Sequence, residues 1–500
     1  MEQSRAWSSH ELHLPEPPSP PLKGPSLRIL LYGLNSSPEL TGIGKYTGEM
    51  ASWLARRGHI VHVVTAPPYY PAWKIHPDFA NAYRTEHPEP NLVVHRCPLY
   101  VPAKPSGLTR MLHLASFAAS SALVVLREAT FEPDLVLSVE PTFFTAPAAL
   151  LAASVARALS WLHIQDFEID AAFELGLLPA KGAVHSLALA LETFFTSRFD
   201  RVSSISHRMV ERAAGKGVPA SRTTLFPNWV DLDAIQPQTS ETPNRFREEL
   251  RLRGKTVVLY SGNMGNKQGL EVLAPLAASF APGSPTADPK LHFLFCGDGA
   301  FRPKLEEQVG ELGNVSLLAL QPLDRLNDLL NAADIHLLPQ RAGAADLVMP
   351  SKLTGMLSSG RPVIATAGPG TRLAEVIGGH DPDSSLGLVT TPEDLLALHA
   401  ALAQLASSPT LRSRLGRNAR RYAIQHLGKQ EVLLRFEREV TDLVSPKSGK
   451  RIESAASIHP SSGKIAMTYK GEPCLEESFD HWRDRPGWRL SRRIPARQRV

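Results

Sequence analysis

The chain has 500 residues, too many for one ordinary domain, and its 43% hydrophobic and 21% charged residues exclude a wholly disordered or collagen-like polymer. The net charge of +5 belongs to the end of the chain, where residues 447–500 hold twelve Lys/Arg against six Asp/Glu; the rest is close to neutral, and no nucleic-acid partner is expected. Three scattered cysteines, Cys97, Cys296 and Cys474, offer neither a disulfide framework nor paired zinc spacing and read as reduced thiols of a cytosolic protein. In chain order, residues 1–26 carry six prolines with almost no apolar periodicity and read as a disordered leader. They lack the charged start and apolar stretch of an export signal.

Regular patterning starts at Leu27. A strand from Leu27 to Tyr32 ends at Gly33, a helical pattern runs from Ile43 to Arg57 with Gly58 as its stop, and Ile60 to Thr65 is again strand-like. Apolar runs at Leu92 to Arg96, Asp134 to Val139, Trp161 to Gln165 and Arg201 to Ile205 follow, separated by helical stretches. After a connector at Phe226-Pro227-Asn228-Trp229 and a polar stretch from Pro237 to Asn244, a second series begins. Its strands are Thr256 to Tyr260, Leu291 to Phe295, Val315 to Leu320, Asp334 to Leu338, Pro362 to Thr366 and Leu386 to Val389. This alternation predicts an α/β protein of two tandem doubly wound, Rossmann-like domains over 27–225 and 226–425. Ser408 to Leu443 reads as two helices, with 426–446 crossing back to the first domain, and 447–500 as a basic, mostly disordered tail. The most apolar windows, Met111 to Leu126 and Thr145 to Ala156, are shorter than the roughly 20 residues of a spanning helix and read as buried helices.

In open α/β sheets ligands bind beyond the carboxyl ends of the strands, so the loops there are the place to look for chemistry. After the first strand, Gly42, Gly44 and Lys45 run into a helix N-terminus whose free N–H groups suit an anion or a sugar hydroxyl; a tight strand-to-helix turn uses the same glycines. The run Tyr260-Ser261-Gly262-Asn263-Met264-Gly265-Asn266-Lys267-Gln268-Gly269 repeats the plan. Lys267 beside a positive helix end calls for a bound phosphate, unless it points into solvent. Cys296-Gly297-Asp298-Gly299 is a third glycine turn, and the loop after Leu338 brings Arg341, Asp346, Ser351 and Lys352, with two cations where a diphosphate would lie. In the first domain, His163-Ile164-Gln165-Asp166 turns an imidazole and a carboxylate toward the interdomain cleft, or else His163 is a satisfied core residue. There is no Asp-x-Asp pair in a cation-binding context and no His/Cys ligand spacing, so neither a metal nor another cofactor is expected.

Longer runs carry a resemblance. Tyr32-Gly33-Leu34-Asn35 with Pro38 through Met50, Thr65-Ala66-Pro67-Pro68-Tyr69-Tyr70-Pro71, Arg96 through Pro102, His163 through Asp166, Phe226 through Trp229, Tyr260 through Asn263 with Lys267 through Glu271, and Pro350-Ser351-Lys352-Leu353-Thr354 resemble one group of proteins. These are the colanic-acid biosynthesis glycosyltransferases described as fucosyltransferases, within glycosyltransferase family 4. The similarity extends over residues 27–445 and leaves both tails outside. It implies a GT-B fold with an interdomain cleft and transfer of a sugar, with retention and without an essential metal, from a nucleotide-sugar donor such as GDP-fucose. The implied acceptor is a polyprenyl-diphosphate-linked glycan at the cytoplasmic membrane surface, in exopolysaccharide synthesis.

The resemblance further implies that Lys267 and a second cation, Lys352 or Arg341, contact the donor diphosphate and that His163 lies near the transferred sugar. The donor-binding set is then Gly42, Gly44, Lys45, Asn263, Lys267, Gln268, Gly297, Gly299, Arg341, Ser351 and Lys352, and the catalytic set His163, Asp166 and Asp346. One departure stands out: where many family members carry two glutamates eight positions apart, this chain has Leu347 and Gly355, and Asp346 is the nearest substitute. A two-domain sugar-nucleotide epimerase and a non-catalytic sugar-nucleotide-binding protein are the alternatives, the latter because of the missing glutamates. Membrane contact is expected from the aromatic loop Tyr69-Tyr70-Pro71-Ala72-Trp73-Lys74 or from the Arg-rich tail with Trp482 and Trp488, the tail being otherwise a solvated extension.

Overall fold

The computed structural model describes residues 25–39, 42–103, 106–140, 143–167, 182–239, 241–265, 268–341, 350–379, 381–452, 468–469 and 472–473. Lys267, Asp346, the Pro-rich leader up to residue 24 and nearly all of the Arg-rich tail lie outside the described residues.

The first series runs β1 (Arg28–Gly33), α1 (Gly42–Arg56), β2 (Ile60–Thr65), β3 (Arg84–Glu89), β4 (Leu92–Arg96), α2 (Gly107–Glu128), β5 (Leu135–Glu140) and α3 (Ala146–Ala156). It continues through β6 (Leu159–Ile164), α4 (Ala183–Thr196), β7 (Arg201–Ser204), α5 (His207–Gly215) and β8 (Thr223–Leu225). These strands form one sheet in the order β3-β4-β2-β1-β5-β6-β7-β8, parallel except for the antiparallel β3–β4 pair. Strands β5 and β6 are buried along their whole length, which is why they read as unbroken apolar runs; both faces of a parallel strand are covered by helices.

The second series is α6 (Arg245–Glu249), β9 (Thr256–Ser261), α7 (Leu273–Ser279), β10 (Leu291–Cys296), α8 (Arg302–Val309), β11 (Val315–Leu318), α9 (Leu326–Ala332) and β12 (Ile335–Leu338). It closes with α10 (Lys352–Ser358), β13 (Val363–Thr366), α11 (Arg372–Gly378), β14 (Gly387–Thr390), α12 (Leu395–Ser407), α13 (Pro409–His426) and α14 (Lys429–Ile452). Its sheet has the order β11-β10-β9-β12-β13-β14 and is parallel throughout. In each sheet the strand order reverses beside the first strand, between β1 and β5 and between β9 and β12, and crevices at such points receive ligands.

The chain returns to the first sheet at its end. Val230 donates its N–H to Leu427 O and accepts from Lys429 N, and Phe436 on α14 stacks on Phe226 with ring centroids 4.6 Å apart. Glu437 takes a bidentate pair of hydrogen bonds from Arg57, at 3.0 and 2.6 Å, and a third from His59 Nε2 at 2.9 Å. Contacts divide the chain at Thr441; of the second unit, the described part is the end of α14 and an antiparallel pair, β15 (Thr468–Tyr469) with β16 (Glu472–Pro473).

The apolar windows need correction. Helix α2 is 22 residues long, and with the turn after it the segment Gly107–Phe131 is long and apolar enough to cross a membrane, its most apolar window having a mean hydropathy of 1.4. Only 28% of its most apolar window is buried. Phe117 and Val125 enter the core, whereas Leu108, Leu112 and Leu123 face outward.

Candidate functional site

The loop after β9 and the loop after β10 lie backbone against backbone. Gly262 N–H donates to Cys296 O and Met264 N–H to Asp298 O, and a Cβ on Gly297 would come within 2.0 Å of Gly262 O. Any side chain there would force the two loops apart. Gly297 and Gly299 thus have a packing reason for being glycine, and they shape the floor on which the other groups stand. Tyr260 at the end of β9 donates its hydroxyl proton to Asn263 O at 2.6 Å, which fixes the ring.

Over the face of that ring, at 4.0 Å from its centroid, sits Lys352 Nζ at the start of α10. The ammonium atom is buried and has no hydrogen-bond partner among the described residues. Burial pushes the amine down to about 7, because removing a charge from water without a counter-ion favours the neutral form. Gln268 Oε1, also buried, has no hydrogen-bond partner among the described residues either. Arg341, the other cation the sequence offered, differs: its guanidinium is ion-paired with Glu271 and about half exposed. Ser351 is exposed beside Lys352 and its carbonyl accepts the Thr354 hydroxyl.

The first domain meets this surface through Tyr70, which follows β2. Its hydroxyl faces the Asn263 side chain of the second domain, and Arg110 and Asp166 lie close enough to act on its charge. Burial, aided by Glu39, raises the phenol's pKa, so it is a neutral hydrogen-bonding group. Gly42 lies against the same ring, a Cβ there coming to 3.5 Å from Tyr70 Cε1. The loop is held from behind by Glu39, which accepts the Tyr69 and Tyr70 N–H groups at 3.1 and 3.0 Å and the Asn35 amide at 2.9 Å. Gly44 is required by this packing, since a Cβ would meet the Glu39 carboxylate at 2.4 Å.

Gly42, Tyr70, Asp166 and Asn263 therefore come together, with Lys352 and Gln268 on the second domain's side. Lys45 joins a different group: its Nζ lies 3.9 Å from Glu49, which also accepts Trp229 Nε1 at 2.8 Å in the joint between the domains. His163 is placed away from reactive surface. It is only 2% exposed, Nδ1 lies 2.9 Å from Ser203 Oγ, and Nε2 lies 3.0 Å from the Gln165 amide. With Gln165 donating, Nε2 is the acceptor and Nδ1 donates to Ser203; burial pushes the imidazole down to about 3, and it is neutral. Both ring nitrogens find partners inside the domain.

The aromatic loop is also corrected as a membrane wedge. Tyr69 is buried, Tyr70 faces the cleft, and Trp73 packs on Tyr69 and His113. Tyr70 is the site residue that sequence reasoning missed; the signal was its place after a strand at the crevice. Among the described residues one cluster, His62, His95 and Glu128, has the spacing of a metal site. Glu128 is shared there between His62 Nδ1 at 2.7 Å and His95 Nε2 at 3.3 Å, tying strands β2 and β4 to α2.

Residues 41–229 match the glycosyl transferase 4-like domain, and residues 255–408 match glycosyl transferases group 1. The colanic acid biosynthesis glycosyl transferase WcaI of Escherichia coli (strain K12) is 40% identical over 419 residues, 83% of this chain and all of that protein. Among solved structures, the sucrose-phosphate synthase of Thermosynechococcus elongatus superposes with a TM-score of 0.63 at 19% identity, covering 84% of this chain and all of that one. Anabaena HepE in complex with UDP-glucose superposes with a TM-score of 0.58 at 17% identity, again over 84% and 100%.

Proposed function

Since the chain belongs to the two-domain GT-B glycosyltransferases, we propose that it transfers a sugar, with retention of configuration, from a nucleoside-diphosphate sugar to a polyprenyl-diphosphate-linked glycan. The reading places the reaction at the cytoplasmic face of a membrane, in the assembly of a colanic-acid-like polysaccharide, the process named for the Escherichia coli relative. The observation that carries it is the buried Lys352 ammonium, without a hydrogen-bond partner among the described residues, at the crevice of the second domain. Breaking the bond between sugar and diphosphate leaves negative charge on the departing phosphate, and a fixed cation in a dry site stabilises that charge. Gln268 is available for a hydroxyl or amide of the donor, and Tyr70 with Asp166 lines the side from which an acceptor enters. No metal is assigned to the reaction; charge neutralisation falls to Lys352 and Lys267. Incubation with GDP-, UDP- and dTDP-sugars and a polyprenyl-diphosphate-linked acceptor, in the presence of EDTA, tests this. The expected product is an extended lipid-linked glycan of retained anomeric configuration, while interconversion or hydrolysis of the donor without an acceptor product contradicts it.

The lowered pKa of Lys352 gives a second expectation. A diphosphate favours the ammonium form, so binding above pH 7 takes up a proton and affinity falls as pH rises, by up to about tenfold per unit between pH 7 and 9. Titration calorimetry in two buffers of different ionisation enthalpy reads that proton. Lys352→Arg, charged at every accessible pH, is expected to lose the dependence. A wild-type affinity that is flat across this range, with no proton uptake, counts against the contact. Tyr70→Phe keeps the packing and removes the hydroxyl that faces Asn263 across the cleft. The cost of one neutral hydrogen bond, about 0.5–1.5 kcal/mol, is expected to appear as a roughly two- to tenfold rise in donor KM. An unchanged KM shows that the bond is not used in closing the site.

A further inference from the structure

We infer that the outer face of α2, α3 and α4 is the surface by which the first domain docks on an anionic lipid bilayer. Topology puts these helices side by side. Each connects a strand to one further along the sheet in the same direction, β4 to β5, β5 to β6 and β6 to β7, so right-handed crossovers lay all three on one face; α1, running the opposite way from β1 to β2, lies on the other. A surface helix of a water-soluble domain turns its polar side outward. Here α4 does the reverse. Its buried residues include Glu192 and Thr196, while Leu187 is 60% exposed and Phe194 46%. Leu112 and Leu123 on α2 and Leu151 and Val155 on α3 continue the exposed apolar surface.

Charge selects the partner. The only acids on the three helices, Glu128 and Glu192, are turned inward and paired, with His62 and His95 and with Lys216 respectively. Three exposed arginines stand at the rim, Arg127 at the end of α2, Arg157 after α3, and Arg198, whose guanidinium covers the Phe194 ring; of the exposed acids beside them, Glu132 is ion-paired with Arg28 and Asp200 accepts the Ser160 N–H, which leaves the rim net cationic. An apolar centre, helices without an outward carboxylate and a net cationic rim match acyl chains beneath anionic headgroups. A soluble protein partner or a second copy would gain from the centre but not from the rim. The inference rests on the reading of a lipid-linked acceptor for its purpose, but its test does not.

The test is flotation of the full-length protein with vesicles of equal parts phosphatidylglycerol and phosphatidylcholine, and with phosphatidylcholine alone. Wild type is expected to float with the anionic vesicles, and the Leu187→Glu/Phe194→Glu variant to bind about tenfold or more weakly, since burial of two large apolar side chains is lost. Leu123→Glu should show the same direction, and Leu396→Glu, an equally exposed leucine of the second domain, should bind as wild type. Variants that float like wild type, or a wild-type dimer that the variants dissociate with no change in flotation, overturn the inference. Transfer to a detergent-solubilised acceptor is read in parallel. Activity equal in wild type and variants supports a purely docking role, whereas its loss in the variants overturns one. A wild type that floats but transfers nothing leaves the docking face standing and tells against the proposed reaction alone.

Discussion

Replacing Lys352 with methionine is expected to weaken nucleoside-diphosphate binding by about 10- to 150-fold while leaving the unliganded protein at least as stable as wild type. The two halves of this result have one cause. A charge-assisted contact to a phosphate contributes about 1.5–3 kcal/mol, which the substitution removes. In the unliganded protein the same ammonium is buried over Tyr260 without a hydrogen-bond partner among the described residues, so an apolar side chain of similar length removes a desolvation cost. Isothermal titration with GDP and UDP, beside chemical denaturation of the unliganded variant, reads both. A variant that binds as wild type ends the diphosphate role. One that binds weakly and has also lost stability makes Lys352 a structural residue. Arg341→Ala is the contrast: its charge is paired with Glu271 outside the pocket, and a much smaller loss of affinity is expected.

The second large effect concerns the anchor between the last helix and the first domain. Glu437→Gln is expected to cost about 3–5 kcal/mol of stability, because it leaves the Arg57 charge without its counter-charge in a site where all three groups are buried. Leu27 N–H donates to His59 Nδ1, so His59 presents Nε2–H to Glu437 and the cluster also pins the start of β1. Burial works to raise the Glu437 pKa, but the hydrogen bonds from His59 and Arg57 outweigh it and hold the carboxyl below the usual range. A depressed carboxyl contributes stability above its unfolded-state pKa and loses it as pH falls through the folded-state value. Wild type should therefore lose stability on acidification below about pH 5, with a shallower loss in the variant. Equal denaturation midpoints for the two proteins at neutral pH would remove Glu437 from this account.

The strands of both sheets were readable because parallel strands buried on both faces are written as apolar runs, as β5 and β6 show. Two strands were not read: β3, with the sequence Arg84-Thr85-Glu86-His87-Pro88-Glu89, is mostly exposed and is a strand only because β4 offers an edge, and β8 is three half-buried residues added beside β7. The helix α2 was read as shorter and more buried than it is, since apolar composition alone does not tell which side of a helix faces the core. At the site, position relative to strand ends was legible and pairing was not. Arg341 and Lys352 are equivalent in sequence until Glu271, seventy residues earlier, is folded against the first. The partner of His163 was hidden in the same way: Ser203, forty residues on, is folded against its Nδ1. Asn263 and Tyr70 meet only when the two domains close on each other, a contact to which no local motif points.

The measurement that addresses the central claim most directly is a crystal structure of the full-length protein with a nucleoside diphosphate. The account predicts a phosphate oxygen about 2.7–2.9 Å from Lys352 Nζ, the distance of a charge-assisted bond, with the diphosphate in the crevice between the loops after β9 and β12. A nucleotide bound elsewhere, with Lys352 still lying on the Tyr260 ring and touching no phosphate, would contradict it.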